Sequence, residues 1–432
     1  MPFTDLGLGD AVRAIRDGTL SATALVEASL ARTDALDKAL QAWVHVDREG
    51  ALAAARARDA EAREGRWRGA LHGVPVGVKD VFHVAGMPTR AGTRAFAHSS
   101  PSTDAAAVAR LRNAGAIVLG KTHTTEFAYR DPAPTRNPWN HGHTPGGSSS
   151  GSGAAVAARM VPLALGTQTV GSTLRPAAYC GVVGLKATHG LVPADGVIPL
   201  AWSLDHVGVI CRSVADAALA LGVMAGRAVE PLQTGPPRIA LAGELVDRAT
   251  PELAAHIRDA ARRFAAAGAT VTEVRLPAEF AELHAAAQVL LEVEAATYHA
   301  PTFARHEADF GKGIAELIRV GLTRRAIDYV TADRARSAFR EAVTPVLAAH
   351  DALLSPTAPG PAPAGLGWTG DATLCAPWSS AGAPSISLPS GVDGAGLPLA
   401  IQLVQAPGGE ARLLGAASWC ERTLAFTARP VD

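Results

Sequence analysis

Residues 145–186, PGGSSSGSGAAVAARMVPLALGTQTVGSTLRPAAYCGVVGLK, constrain this chain more than any other stretch. A loop of glycines and serines runs straight into an Ala-rich helical pattern at 154–160, then into an apolar strand-like run at 161–165. A second Gly/Ser/Thr loop, 166–173, ends at Arg175-Pro176. Composition alone would allow a flexible linker at 146–153. Linkers separate cores, however, and no polar spacer divides these loops from the apolar runs. The two loops hold Ser148 and Ser172. A serine that does chemistry needs little bulk around it and backbone N–H groups aimed at the oxyanion it creates. Glycine-rich turns beside a helix start provide both conditions.

A chain of 432 residues can bury a large core, and α/β enzymes of this length can be one unit. We read 1–432 as a single domain, with N-terminal helices over about 1–66, a catalytic core over about 67–225 and the remainder at 226–432. Forty Lys+Arg balance forty Asp+Glu, so nothing in the charge points to nucleic acid or an anionic membrane as partner. The apolar runs break well before the ~18 residues a membrane span needs. The N-terminus lacks the apolar centre of a signal peptide. Cys180, Cys211, Cys375 and Cys420 form no CxxC pair and are too sparse for a disulfide framework, which places the chain in a reducing cytoplasm. A homodimer is left open. His141 and His143 form an HxH pair, but no acidic or histidine partners lie near them in sequence, so no metal is expected.

The chain has only five lysines, Lys38, Lys79, Lys121, Lys186 and Lys312, against 35 arginines. Arginine keeps its proton at ordinary pH, whereas a buried lysine can lose it. Lys79, Lys121 and Lys186 each follow an apolar strand-like run, so each is a candidate base or an ordinary strand-end cation.

In chain order, 7–66 reads as helices with Ser21 as an N-cap. Residues 71–81 read as a strand, 103–115 as a helix and 116–119 as a short strand. A helix at 213–224, a strand at 238–241, a helix at 251–267 and a strand at 270–274 follow. Helices at 278–300 and 324–350 precede a strand end at 351–355. The Pro/Gly-rich 357–370 is a loop fit to wall a pocket, and strands at 385–389 and 398–404 lead to a helix at 409–423. This alternation predicts a layered α/β fold: a central mixed, mostly parallel β-sheet with helices on both faces.

Gly147-Ser148-Ser149-Ser150-Gly151 matches GxSxG with Ser149 as nucleophile, but that motif needs a strand just before the serine and NPWNHGHTPG cannot be one. Neither glycine-rich loop ends in the GK[ST] of a phosphate-binding loop. A third reading is a serine activated through a second serine and a lysine. GVPVGVKDV, GGSSSGSGAAVAA and PLALGTQTVGSTLRPAAYCGVVGLKATHG, in that order, resemble the amidase signature family, as do LDHVGVICRSVADAALAL and GLPLAIQLVQAP. The resemblance runs nearly full length. It implies the mixed-sheet fold of that family and a Ser-Ser-Lys triad: Ser172 as nucleophile, Ser148 on a cis peptide as bridge, Lys79 as base. It also implies an oxyanion hole from the N–H groups of Thr169, Val170, Gly171 and Ser172, and no cofactor. Tyr129 and Arg175 are candidate substrate-binding residues; Trp139, Trp202 and Trp378 are further candidates for the acyl pocket.

The implied activity is hydrolysis of C–N bonds other than peptide bonds in small carboxamides, extending to esters or carbamates, through an acyl-enzyme on Ser172. The alternative is the amide-hydrolysing subunit of a glutamine-dependent tRNA amidotransferase. Three departures stand out. The familiar GTDTGGS is GTQTVGS here: Gln168 removes a charge and Val170 adds bulk beside the oxyanion loop. Arg175 lies three residues after Ser172, where many members have arginine two after.

Overall fold

The computed structural model describes residues 2–232 and 235–430. Among these, eleven strands form one sheet. They are β1 (Trp43–Val46), β2 (Pro75–Lys79), β3 (Ile117–Thr122), β4 (Leu163–Gln168), β5 (Val183–Lys186), β6 (His206–Cys211), β7 (Arg238–Ala242), β8 (Thr270–Val274), β9 (Ala352–Pro356), β10 (Ser385–Val392) and β11 (Pro398–Val404). Their order is β1-β3-β2-β4-β6-β5-β10-β11-β9-β7-β8, so strands from 1–66, 67–225 and 226–432 all join it. β2 runs parallel to β3 and β4, and β7 to β8 and β9. The other six pairings are antiparallel, which corrects the mostly parallel expectation. The reason is the connections. Parallel neighbours need a crossover, usually a helix. The link between β5 and β6 contains no helix, and β10 turns into β11 within 393–397, where Asp393 binds the Ala395 and Leu397 N–H groups.

Every residue of β2 to β6 is buried, so helices cover both faces of the central sheet. Helix starts follow their caps: Ser21 accepts from Ala24 N at 3.0 Å and Ser213 from Asp216 N at 3.1 Å. Four helices were not expected: Leu174–Tyr179, Gly243–Val246 and Ala376–Ser380 are too short to show a period, whereas Lys312–Thr323 carries a helical apolar stripe, Ile314, Leu317 and Ile318, that the sequence reading passed over. β1 interrupts the segment expected to be helical throughout, because Gln41 turns left-handed (φ 50°) and Trp43–Val46 after it pairs with β3. No described helix is long and apolar enough to cross a membrane.

The Gly/Ser stretch is core. Its helix, Ser150–Ala157, starts inside the serine loop itself. A Cβ on Gly151 would lie 2.1 Å from the Ala42 carbonyl oxygen and 2.4 Å from His123 N, so only glycine lets this helix press on its neighbours' backbone. Each serine has its own anchor. Ser150 Oγ donates to Gly146 O at 2.7 Å and Ser152 Oγ to Leu165 O at 2.8 Å, while Ser149 Oγ meets the Thr167 backbone at 3.3 Å.

Candidate active site

Three lysines of the central sheet are buried, and they differ in what they touch. Lys121 pairs with Asp80 at 2.8 Å and also donates to Pro88 O and Thr89 Oγ1. Lys186 donates to the Ala383 carbonyl. Lys79, at the end of β2, has Nζ 2.7 Å from both Ser148 Oγ and Thr167 Oγ1, with no carboxylate among its hydrogen-bond partners. Burial pushes its pKa well below the ordinary 10.5; the Asp205 charge opposes that shift and the Arg175 charge adds to it. Lys121 is lowered by burial against the pull of Asp80, and Lys186 is pushed down to about 7, again by burial.

The Gly147–Ser148 peptide is cis. Ser148 is fully buried, and its carbonyl accepts from Thr125 N at 3.2 Å. Ser149 N donates to Ser172 O at 3.2 Å, which brings the second loop against the first. Ser172 keeps 7% exposure, and its hydroxyl has no hydrogen-bond partner among the described residues. Ser149 is fully buried, with its hydroxyl on Thr167 and no strand before it, so the GxSxG reading finds no exposed nucleophile.

The loop after β4 leaves the Val170, Gly171 and Ser172 N–H groups without acceptors among the described residues. The Thr169 hydroxyl donates to Asp205 at 2.6 Å. Asp205, half-buried, also accepts from Leu200 N and Ala201 N; desolvation raises its pKa to about 6 against these bonds. Gln168 does more than delete a charge. Its Oε1 accepts from Thr173 N and Leu174 N, both at 3.0 Å, and its Nε2 donates to Ser379 Oγ at 3.1 Å.

Arg175 is buried under the loop expected to wall the pocket. It donates to Gly370 O at 2.6 Å, Gly147 O at 2.7 Å and Thr369 Oγ1 at 3.1 Å. Its guanidinium thus holds the peptide that leads into Ser148. Tyr129 is half-buried under the Arg130 guanidinium, and its carbonyl accepts from Thr125 Oγ1, one residue contact away from Ser148. Trp139 is half-buried and donates to Cys180 O, Trp378 is buried in the core, and Trp202 is 46% exposed. His143 bridges to Ala364, and no group of three metal-ligating side chains occurs among the described residues. Thr167, Asp205 and Ser379 escaped the sequence reading. Thr167 and Asp205 both lay in blocks singled out there, GTQTVGS and LDHVGV, while Ser379 lay in none.

The family described as Amidase matches residues 24–414. An amidase of Pseudomonas putida is 37% identical over 83% of this chain and 81% of its own. A subunit of the glutamyl-tRNA(Gln) amidotransferase of Myxococcus xanthus (strain DK1622) is 36% identical over 99% of both chains. Among solved structures, an amidase superposes with TM-score 0.91 at 34% identity, covering 96% of this chain and 99% of its own. The peptide amidase of Stenotrophomonas maltophilia superposes with TM-score 0.86 at 32% identity, covering 100% and 99%. With the match spanning most of its length, this chain belongs to the amidase family, the amidase signature enzymes, and is a hydrolase of amide C–N bonds.

Proposed function

We propose that the enzyme cleaves small carboxamides through an acyl-enzyme on Ser172. Neutral Lys79 accepts the Ser148 proton while Ser148 accepts the proton of Ser172, whose oxygen attacks the amide carbonyl carbon. The N–H groups from Thr169 to Ser172 receive the oxyanion. As the tetrahedral intermediate collapses, the C–N bond breaks and the relay returns the proton to the leaving amine. Water then repeats the cycle on the ester, releasing the acid and regenerating Ser172. The observation that carries this reading is Lys79 Nζ at 2.7 Å from Ser148 Oγ in a pocket that disfavours its charge. The same chemistry extends to esters and carbamates. A reducing compartment fits the four buried, unpaired cysteines.

A fluorophosphonate tests it. Purified wild-type protein should be labelled at Ser172, and Ser172→Ala should abolish both labelling and amide hydrolysis. Labelling that survives the substitution rejects the assignment.

A second reading takes glutamine as the amide within an amidotransferase on charged tRNA. It is favoured by the Myxococcus relative, which matches end to end and is named for that enzyme. Robust hydrolysis of simple amides by the isolated chain argues against it; glutaminase activity that needs partner proteins argues for it.

A further inference from the structure

The oxyanion loop is held by a residue more than 200 positions away. We propose that Ser379 is a positioning residue that aims the Gly171 N–H, and that Gln168 dictates where the Ser379 proton goes. This deepens the reading of Ser172 as nucleophile and rests on it.

Ser379 Oγ lies 2.8 Å from the Val170 carbonyl oxygen. In a planar trans peptide the C=O and the following N–H point in opposite directions. Fastening Val170 O to Ser379 therefore turns the Gly171 N–H to the other side, where no described residue accepts it. The next peptide is fixed alike, since Arg175 N donates to Gly171 O at 2.9 Å and so directs the Ser172 N–H. Of the two anchors only Ser379 is a side chain. The segment carrying it packs directly on the loop: a Cβ on Gly171 would lie 2.9 Å from Ala372 Cβ and 3.2 Å from Cys375 Cβ.

The proton follows from donor counting. Two backbone N–H groups face Gln168 Oε1, which fixes the amide so that Nε2 faces Ser379. Nε2 can only donate. Ser379 Oγ accepts from it, and its single proton is left for Val170 O. A carboxylate at 168 would claim that proton for itself and release the Val170 carbonyl. The amide that distinguishes this loop from the GTDTGGS pattern is thus matched to a serine at 379.

The test uses full-length Ser379→Ala, Ser379→Thr and Gln168→Glu on a simple primary carboxamide, with pH–rate profiles and endpoint fluorophosphonate labelling. Ser379→Ala and Gln168→Glu should label fully at the endpoint yet lose about tenfold or more in kcat, with KM within about twofold. The Ser379→Ala midpoint should match wild type, and Ser379→Thr should recover most of the rate. The proposal is overturned if Ser379→Ala keeps kcat within about twofold of wild type, or if the loss comes with a displaced midpoint, which would place the effect on Lys79. Should Ser379→Ala fail to fold, Gln168→Glu, nearly isosteric, decides by kcat at the pH plateau: a value within about twofold of wild type overturns the proposal. A wild-type protein that does not label at Ser172 overturns the nucleophile reading instead.

Discussion

Lys79 Nζ lies 2.7 Å from Ser148 Oγ with no carboxylate bonded to it, whereas Lys121, one strand over, is paired with Asp80 at 2.8 Å. Burial costs both lysines. Only Lys121 has a bonded counter-charge that offsets the cost of keeping its proton. That difference favours Lys79 over Lys121 as the proposed base more sharply than burial does.

The pH profile should report it. The proposed mechanism needs Lys79 as the neutral amine, and its pKa is held well below 10.5, so kcat/KM should rise with pH through that depressed value and level off below the ordinary lysine range. Asp205 favours the protonated form of Lys79, so Asp205→Asn should move the midpoint to lower pH. A rate independent of pH from acid to alkali would exclude a lysine base.

Lys121→Met should unfold the protein more readily without touching the proton path. It leaves Asp80 buried and unpaired, a loss of about 3–5 kcal/mol. Removing both charges, in Lys121→Met with Asp80→Leu, should recover much of it. Urea midpoints for the two variants check this; a double variant no better than the single one refutes it.

Lys186 should make stability depend on pH. Its folded pKa is about 7 against an ordinary 10.5. Between those values the unfolded chain holds the proton and the folded chain does not, so stability climbs with pH across that window. Below 7 both states are protonated and the contribution stays at its minimum. Lys186→Met should remove a gain on the order of a few kcal/mol between pH 7 and pH 10. The Ala383 carbonyl keeps Ser385 Oγ as a donor in that variant, at 3.2 Å. Equal slopes for wild type and variant would show that Lys186 does not titrate in this window.

Arg175→Lys should lower both stability and kcat. A single ammonium cannot satisfy Gly370 O, Gly147 O and Thr369 Oγ1 as the planar fork does. Each acceptor left without a donor costs about 1–3 kcal/mol. If KM alone rises and the melting temperature holds, the guanidinium binds substrate after all.

Much of this was legible along the chain. Ser21 and Ser213 announced their helices because a cap is a local device. β11 matched its expected bounds because its apolar run is bracketed by turn residues. The family motifs singled out Lys79 from Lys121 and Lys186, which composition could not do. β1 and the helix Leu174–Tyr179 were lost because four- and six-residue elements carry too few residues to show a period. Gln168 looked like a missing charge because its partner, Ser379, lies 211 residues away, and no spacing rule reports a long-range hydrogen bond. The hold of Arg175 on Gly147, Thr369 and Gly370 was invisible for the same reason.

The segment from Thr369 to Ser379 closes over Gly147, Val170 and Arg175, which were made some 200 residues earlier. A chain that stops at residue 225 would hold Lys79, Ser148 and Ser172 but lack Gly370 O and Thr369 Oγ1, the acceptors of Arg175, and Ser379 Oγ, the donor to Val170 O.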